Sequence, residues 1–280
     1  MAFFSESLAL PDSAFRILRE LIREHTGIYF EDTKRDVLAD KLSNRVLERG
    51  FNSFLDYYYL LKYDPDARDE WNVVLDLITV NETYFWREYD HLDALIFHIV
   101  PEYQKNNNGK PLQIWCAATS TGEEPLSILM ALDLHGWLEK LSVTIIASDA
   151  SPDALNKARE GVYRDRSFRN LPTAIRDRYF TREENQWRIN RQIHSMVNWR
   201  QINLTNEQEV NAIASPHVIF CRNVFIYFRE DTIRNVVERF YNQLTAPGYL
   251  FVGVSESLFK ISRQFALTEI GKTFLYKKSE

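Results

Sequence analysis

Apolar residues along the first eighty positions recur at helical spacing. Phe15, Leu18, Leu21 and Ile22 share one face of a segment that Asp12 or Ser13 is expected to cap and Gly27 to stop. A second helix, capped by Asp32 or Thr33 and stopped by Gly50, carries Val37, Leu38, Leu42, Val46 and Leu47 on its apolar side. Its other side is basic, with Lys34, Arg35, Lys41, Arg45 and Arg49. Taken alone, such a stripe reads first as a solvated helix face. Two more helices are expected, over roughly Ser53 to Tyr63 and Ala67 to Ile78. The pattern predicts a small helical bundle.

From Leu112 the pattern changes. Apolar strand-like runs (Gln113–Ala118, Val143–Ser148, His217–Cys221, Leu250–Val254) alternate with helical ones (Glu123–His135, Pro152–Glu160, Asp231–Leu244). That alternation predicts an α/β domain built on a mostly parallel, doubly wound sheet. Phe265–Glu269 and Thr273–Lys277 flank Gly271 and read as a hairpin closing the sheet edge. Asn106 to Pro111 is polar and turn-rich and reads as a loop. Between Val162 and Trp199 the alternation breaks. Gln186–Ile189 and Met196–Trp199 have the two-residue period of antiparallel strands, so residues 162–199 read as a small β insertion. The expected division is 1–80 for a helical domain and 81–280 for the sheet domain.

Composition narrows the classes. The 280 residues carry a formal net charge of −5, which argues against a broad nucleic-acid-binding surface. Cys116 and Cys221 lie in apolar strand-like runs and read as core residues of a reducing compartment. No Cys/His cluster has metal spacing. His91, His98 and His135 fall on helical segments and read as ordinary packing residues. Residues 1–13 lack the basic and apolar regions of a signal peptide, and no apolar run reaches membrane-spanning length. The expected location is the cytoplasm.

The chemistry concentrates at strand ends. Ile114 to Ala118 leads into a small-residue turn, Thr119-Ser120-Thr121-Gly122, and then into a helix opened by Glu123 and Glu124. A turn of this kind after the first strand opens a nucleotide-sized site. It lacks the glycines of a dinucleotide fingerprint, and its acids would repel a pyrophosphate. They suit a cationic ligand with hydroxyls, which points to S-adenosylmethionine and away from NAD. Asp149 ends the second strand, where a carboxylate can hold a ribose diol; it or Ser151 could equally cap the next helix. Asn81-Glu82-Thr83-Tyr84-Phe85-Trp86-Arg87-Glu88 joins the two parts and could line a cleft or merely cement the junction. Arg222 and Asn223 interrupt an apolar run at a strand's carboxyl end, and Tyr227 follows four residues after Asn223. An ordinary exit loop with a structural Arg222 ion pair is the alternative.

The segments NETYFWRE, IWCAATSTGEEP, ASD, INL, FCRNVFIYF and GVSESL, in this order, resemble the chemotaxis receptor methyltransferases, the CheR family. The resemblance spans nearly the whole chain. It implies a Rossmann-like S-adenosylmethionine-dependent methyltransferase sheet with an N-terminal all-helical domain and a small antiparallel β insertion. It implies methyl transfer to glutamate side chains of chemoreceptors, with S-adenosyl-L-homocysteine as the second product. Asn81, Thr83 and Arg87 are then expected at the cofactor's methionine end, Glu124 as a further contact and Asp149 at the ribose. Asn203 and Leu204 would flank the adenine, Arg222 and Asn223 would complete the pocket, and Arg87 and Tyr227 would stand nearest the methyl-transfer point.

A glutamate carboxylate is ionised near neutral pH, so such a reaction needs alignment and water exclusion rather than a general base. No Ser-His-Asp or Cys-His set is found, and none is required. The resemblance also recasts the basic helix: Lys34, Arg35, Lys41 and Arg45 become candidates for docking a glutamate-rich receptor bundle. Arg182-Glu183-Glu184-Asn185, where one subgroup of the family has a longer glycine-containing loop, is short and has no glycine. No high-affinity tether to a receptor pentapeptide is therefore expected. A monomer is the default. The rival readings are a cofactor-binding scaffold without activity and a methyltransferase for small molecules.

Overall fold

A computed structural model describes residues 8–65, 67–106 and 109–279. Most of the stretch read against a signal peptide, residues 1–7, and Asn107 and Asn108 of the expected loop lie outside the described residues.

The helical part comprises α1 (Asp12–Thr26), α2 (Arg35–Glu48), α3 (Phe54–Tyr63) and α4 (Ala67–Ile78). Their apolar faces meet in one core around Leu18, Ile22, Leu38, Leu42, Val46, Phe54 and Tyr57. Gly27 ends α1 in the left-handed conformation, as the sequence suggested. The expected side-chain caps are absent. Pro11 occupies the cap position of α1, and Asp12 instead pairs with Arg35 at 2.6 Å. Asp32 opens a 3-10 turn ahead of α2 and pairs with Arg19 at 2.5 Å.

Two further helices, α5 (Tyr89–Ala94) and α6 (Val100–Asn106), are joined by a π-helical turn and lead into β1 (Leu112–Ala117). Then come α7 (Glu123–Leu134), β2 (Val143–Asp149), α8 (Pro152–Glu160) and β3 (Val162–Tyr163). After them come α9 (Thr173–Tyr179), β4 (Phe180–Glu183), β5 (Gln186–Ile189), α10 (Arg191–His194) and β6 (Val197–Gln201). The chain finishes with α11 (Glu207–Asn211), β7 (Val218–Phe220), α12 (Glu230–Gln243), β8 (Gly248–Phe251), β9 (Ala266–Ile270) and β10 (Thr273–Lys278).

Seven strands form the main sheet in the order β6-β2-β1-β7-β8-β10-β9. The first five are parallel, and β10 and β9 close the edge as the expected antiparallel hairpin. Both faces are covered. Along β1, Ile114 and Cys116 join one core while Trp115 and Ala117 join the other. That is why these strands read as continuous apolar runs. The sheet grows from β1 towards β2 on one side and β7 on the other, which makes the carboxyl end of β1 the switch point where such sheets bind ligands.

The insertion is smaller than the sequence suggested. Only β3, β5 and β4 form the antiparallel sheet. The run read as a further antiparallel strand, Met196–Trp199, instead enters β6, which pairs parallel with β2, Ile146 opposite Asn198 and Ala147 opposite Trp199. A two-residue period marks a strand with two different faces, and it carries no direction. On β6 it comes from an edge strand that buries Val197 and exposes Asn198.

The helical part covers the carboxyl ends of the strands. Asp76 of α4 accepts from the Ser151 hydroxyl (2.5 Å) and the Asp153 amide (3.1 Å) at the start of α8. Tyr29 N–H donates to the Tyr227 carbonyl at 2.9 Å, and Ile28 bridges Phe228. Among the described residues no helix is long and apolar enough to cross a membrane, and no group of side chains could hold a metal. Both cysteines are free and buried.

Candidate functional site

A cleft opens between the helical part and the strand ends. All ten residues singled out for cofactor contact or catalysis line it: Asn81, Thr83, Arg87, Glu124, Asp149, Asn203, Leu204, Arg222, Asn223 and Tyr227. The four basic docking candidates, Lys34, Arg35, Lys41 and Arg45, do not.

The turn after β1 forms the floor. Ala118, Ser120 and Gly122 all have positive φ, so the backbone coils tightly between β1 and α7. At Gly122 (φ +94°) a Cβ would come within 2.7 Å of the Trp199 ring, so glycine is required twice over, by conformation and by space. Ser120 N–H donates to Asp149 at 2.8 Å, tying the first turn to the end of β2. Ser120 Oγ donates to Asn81 at 3.3 Å, tying it to the linker.

The two alternatives for Asp149 are resolved in part. The cap of α8 is Ser151, whose Oγ accepts from Ala154 N–H. Asp149 accepts from the Ser151 and Ser120 amides and lines the cleft. Burial pushes its carboxyl above the usual range, and those amides pull it back.

The two acids of the turn separate. Glu123 is buried and directed away from the cleft: its carboxylate accepts from Thr121 Oγ1 (2.6 Å) and Ser167 Oγ (2.9 Å), anchoring the segment after β3. Its carboxyl is raised by burial. Glu124 lies 3.0 Å from Arg222 Nε, and Glu88 lies 3.6 Å from the same atom. Burial raises the Glu124 carboxyl and Arg222 opposes that shift. Two acids around one guanidinium leave a surplus of negative charge beside the cleft.

The linker does both things its sequence allowed. Phe85 is fully buried against Tyr163, Phe168 and Phe180, and Trp86 is buried too. Asn81, Thr83 and Tyr84 before those anchors and Arg87 after them line the cleft. One Arg87 N–H reaches the Glu82 carbonyl at 2.9 Å. Its own carbonyl accepts from Arg222 at 2.9 Å.

On the facing wall, Asn223 has φ +60°, and its Oδ1 is buried with no hydrogen-bond partner among the described residues. Thr119 Oγ1 is in the same position. Buried polar atoms are rarely left unpaired, so two such atoms on one cleft mark where a polar ligand belongs. Tyr227 follows in a 3-10 turn, and burial raises its phenol, partly offset by Arg87. Asn203 lines the cleft, but its side-chain amide donates to the His25 carbonyl and accepts from Thr205. It thus offers the cleft a surface rather than a free amide.

Two contributors escaped the sequence reading. Glu88 ends NETYFWRE, yet nothing in that string says that it turns back on Arg222. Glu256 sits in GVSESL and holds three backbone amides of the loops beside the cleft.

The basic helix does not present the stripe that its sequence suggests. Arg45 is bidentate to buried Glu70 at 2.8 and 2.6 Å, and Tyr57 donates to the same carboxylate. Lys41 donates to the Leu77 carbonyl at the end of α4 at 2.8 Å, and burial lowers its ammonium. Both serve the fold of the helical part. Lys34 is exposed, and Arg35 is half-exposed beside Asp12 and Asp36.

Comparison with known proteins gives concordant matches. The family model described as CheR methyltransferase, SAM binding domain, matches residues 81–274, and that described as CheR methyltransferase, all-alpha domain, matches residues 13–79. Chemotaxis protein methyltransferase 2 of Vibrio cholerae is 36% identical over 274 residues, covering 97% of this chain and 94% of that protein. The chemotaxis protein methyltransferase of Escherichia coli is 34% identical, covering 94% and 91%. Chemotaxis protein methyltransferase 2 of Pseudomonas aeruginosa is 32% identical, covering 92% and 91%.

Proposed function

The chain belongs to the CheR methyltransferase family, and from that membership we infer its reaction: transfer of a methyl group from S-adenosylmethionine to glutamate carboxylates of chemoreceptors. The observation that supports it best is the convergence of five separated segments on one cleft with surplus buried negative charge and two unpaired polar atoms.

The residues present fit the cofactor. Its charge is met by Glu124 on the cleft wall; Glu88, outside the lining, shares Arg222 with it, so the guanidinium only partly neutralises Glu124. Asp149 is the acceptor for ribose hydroxyls. Asn81 and Thr83 suit the amino-acid end, Leu204 and the face of Asn203 the base, and Asn223 Oδ1 and Thr119 Oγ1 gain the donors that they lack. When bound, the cofactor supplies an electrophilic methyl group on a sulfonium.

The chain's own contribution is position and dryness. Arg87 and Tyr227 share the cleft, and Arg87 affects the Tyr227 phenol electrostatically. With its phenol raised, Tyr227 stays protonated near neutral pH and donates a hydrogen bond. Arg87 adds charge with one N–H already committed to Glu82. Together they orient an incoming carboxylate without clamping it, so the oxygen keeps its nucleophilicity. The helical part, closed on the Tyr227 loop through Tyr29 and Ile28, excludes water. Esterification removes one negative charge from the receptor helix, lowering like-charge repulsion and shifting a two-state signalling equilibrium.

For receptor docking, we retain Lys34 and Arg35 of the four basic candidates, because Lys41 and Arg45 are engaged within the helical part. The β4–β5 turn at Glu184 and Asn185 supports the reading that no high-affinity pentapeptide tether exists. We take residues 1–80 and 81–280 as the working domains, a monomer as the working state and the cytoplasm as the site of the reaction.

The test is direct. The chain is incubated with radiolabelled S-adenosylmethionine and receptor-bearing membranes. Base-labile label on a receptor-sized band is expected. Binding of S-adenosylhomocysteine without labelling would instead favour a scaffold.

A further inference from the structure

The loops after β7 and β8 are joined by one side chain. Glu256 Oε2 accepts from Asn223 N–H at 2.9 Å and from Gly253 N–H at 2.7 Å. Its Oε1 accepts from Ile226 N–H at 3.3 Å. The loops are in contact here: a Cβ on Gly253 would come within 2.7 Å of Asn223 Nδ2 and 3.0 Å of Glu256 Oε2. Glu256 itself does not line the cleft.

What it holds does line the cleft. Asn223 keeps a left-handed backbone and presents its unpaired Oδ1. Ile226 immediately precedes Tyr227. We propose that Glu256 is a positioning residue whose two oxygens have separate duties, Oε2 setting Asn223 for the cofactor and Oε1 setting the Tyr227 turn for methyl transfer. The proposal rests on the reaction inferred above. An ionised carboxylate is the side chain that accepts on both oxygens at once. A glutamine has one acceptor oxygen, and its amide group would oppose the third N–H.

That asymmetry gives the experiment. In Glu256→Gln the carbonyl is best placed where two amides converge, on Asn223 and Gly253, leaving the NH₂ against Ile226. Affinity for S-adenosylhomocysteine, measured by calorimetry, should stay within about threefold of the parent chain, while kcat for receptor methylation falls about tenfold. In Glu256→Ala both duties are lost, so affinity and kcat each fall about tenfold or more. Hydrogen exchange in Glu256→Ala should quicken in peptides containing Asn223, Ile226 and Gly253 and stay unchanged in α1–α4. Parental kcat in Glu256→Gln, parallel losses of affinity and kcat in both variants, or unchanged exchange in those peptides would each overturn the proposal. A parent chain that binds S-adenosylhomocysteine but methylates no receptor would sink the reaction instead, and the affinity and exchange measurements would still decide on Glu256.

Discussion

Arg222 Nε lies 3.0 Å from the carboxylate of Glu124, with both side chains largely buried. Because Glu88 approaches the same guanidinium, removing either partner has opposite consequences. Arg222→Met strands two acids and should lower stability by about 3–5 kcal/mol in chemical denaturation. Glu124→Gln leaves a balanced Arg222–Glu88 pair. Stability should hold, while affinity for S-adenosylmethionine falls about tenfold or more for want of the anionic surplus.

In the proposed reaction, the roles given to Arg87 and Tyr227 belong to the transition state rather than to the fold. Arg87→Ala should lower kcat for receptor methylation about 100-fold, the loss typical of a donor aimed at the reacting group. Tyr227→Phe should cost about tenfold, with affinity for S-adenosylhomocysteine preserved. Untouched methylation in both variants would remove them from the methyl-transfer point.

Within the helical part, stability and docking should separate. Arg45→Ala leaves the Glu70 carboxylate with Tyr57 and a 3.5 Å contact to Arg49. It should lower stability by about 2–4 kcal/mol. Reversing Lys34 and Arg35 to glutamate should leave the melting temperature near that of the parent chain and weaken receptor binding, most at low salt.

Gly122→Ala tests the turn after β1. The new Cβ meets Trp199 in a backbone conformation unfavourable for alanine. A stability loss above about 1 kcal/mol is expected, together with weaker cofactor binding as Ser120 is displaced from Asp149. Crystallographic superposition of the variant would show Trp199 or the turn displaced.

His91 gives a pH signature. Burial, reinforced by the Arg222 charge, pushes its imidazole down to about 3 from 6.5, and outweighs the opposite pull of the Glu88 carboxylate 3.4 Å from Nδ1. The unfolded chain therefore takes up a proton first as pH falls. The stability that neutral His91 allows is complete above pH 6.5 and is lost progressively towards pH 3, by up to about 1.4 kcal/mol per pH unit. Raised carboxyls such as Glu123 push the other way, so the comparison must be with His91→Gln. The stability difference between the two proteins should narrow from pH 7 to pH 4; a constant difference would mean that His91 does not titrate there.

Much of the architecture was legible because local physics enforces it. Continuous apolar runs such as Ile114–Ala118 need two covered faces, and that requires helices on both sides of a parallel sheet. Gly27 and Gly122 mark turns because their backbones are left-handed. Where sequence reading failed, partners distant in the chain had decided. Met196–Trp199 has the period of a strand, but β2 chose its sheet and its direction. Lys41 and Arg45 look like a free basic stripe until Leu77 and Glu70 claim them.

The same division runs through the site. The sequence by itself determined which residues stand at strand ends and that acids, not glycines, follow β1, since side-chain chemistry and local backbone preference travel with the string. The tertiary structure alone decided that Glu124 and Glu88 share Arg222, that Glu123 turns away, and that Glu256 holds both loops. Those assignments depend on atoms that meet across long stretches of chain, as between Glu256 and Asn223, 33 residues apart, or Glu123 and Ser167, 44 apart. Packing, not local propensity, selects such partners, because a buried polar group must be satisfied wherever the fold brings a partner within reach.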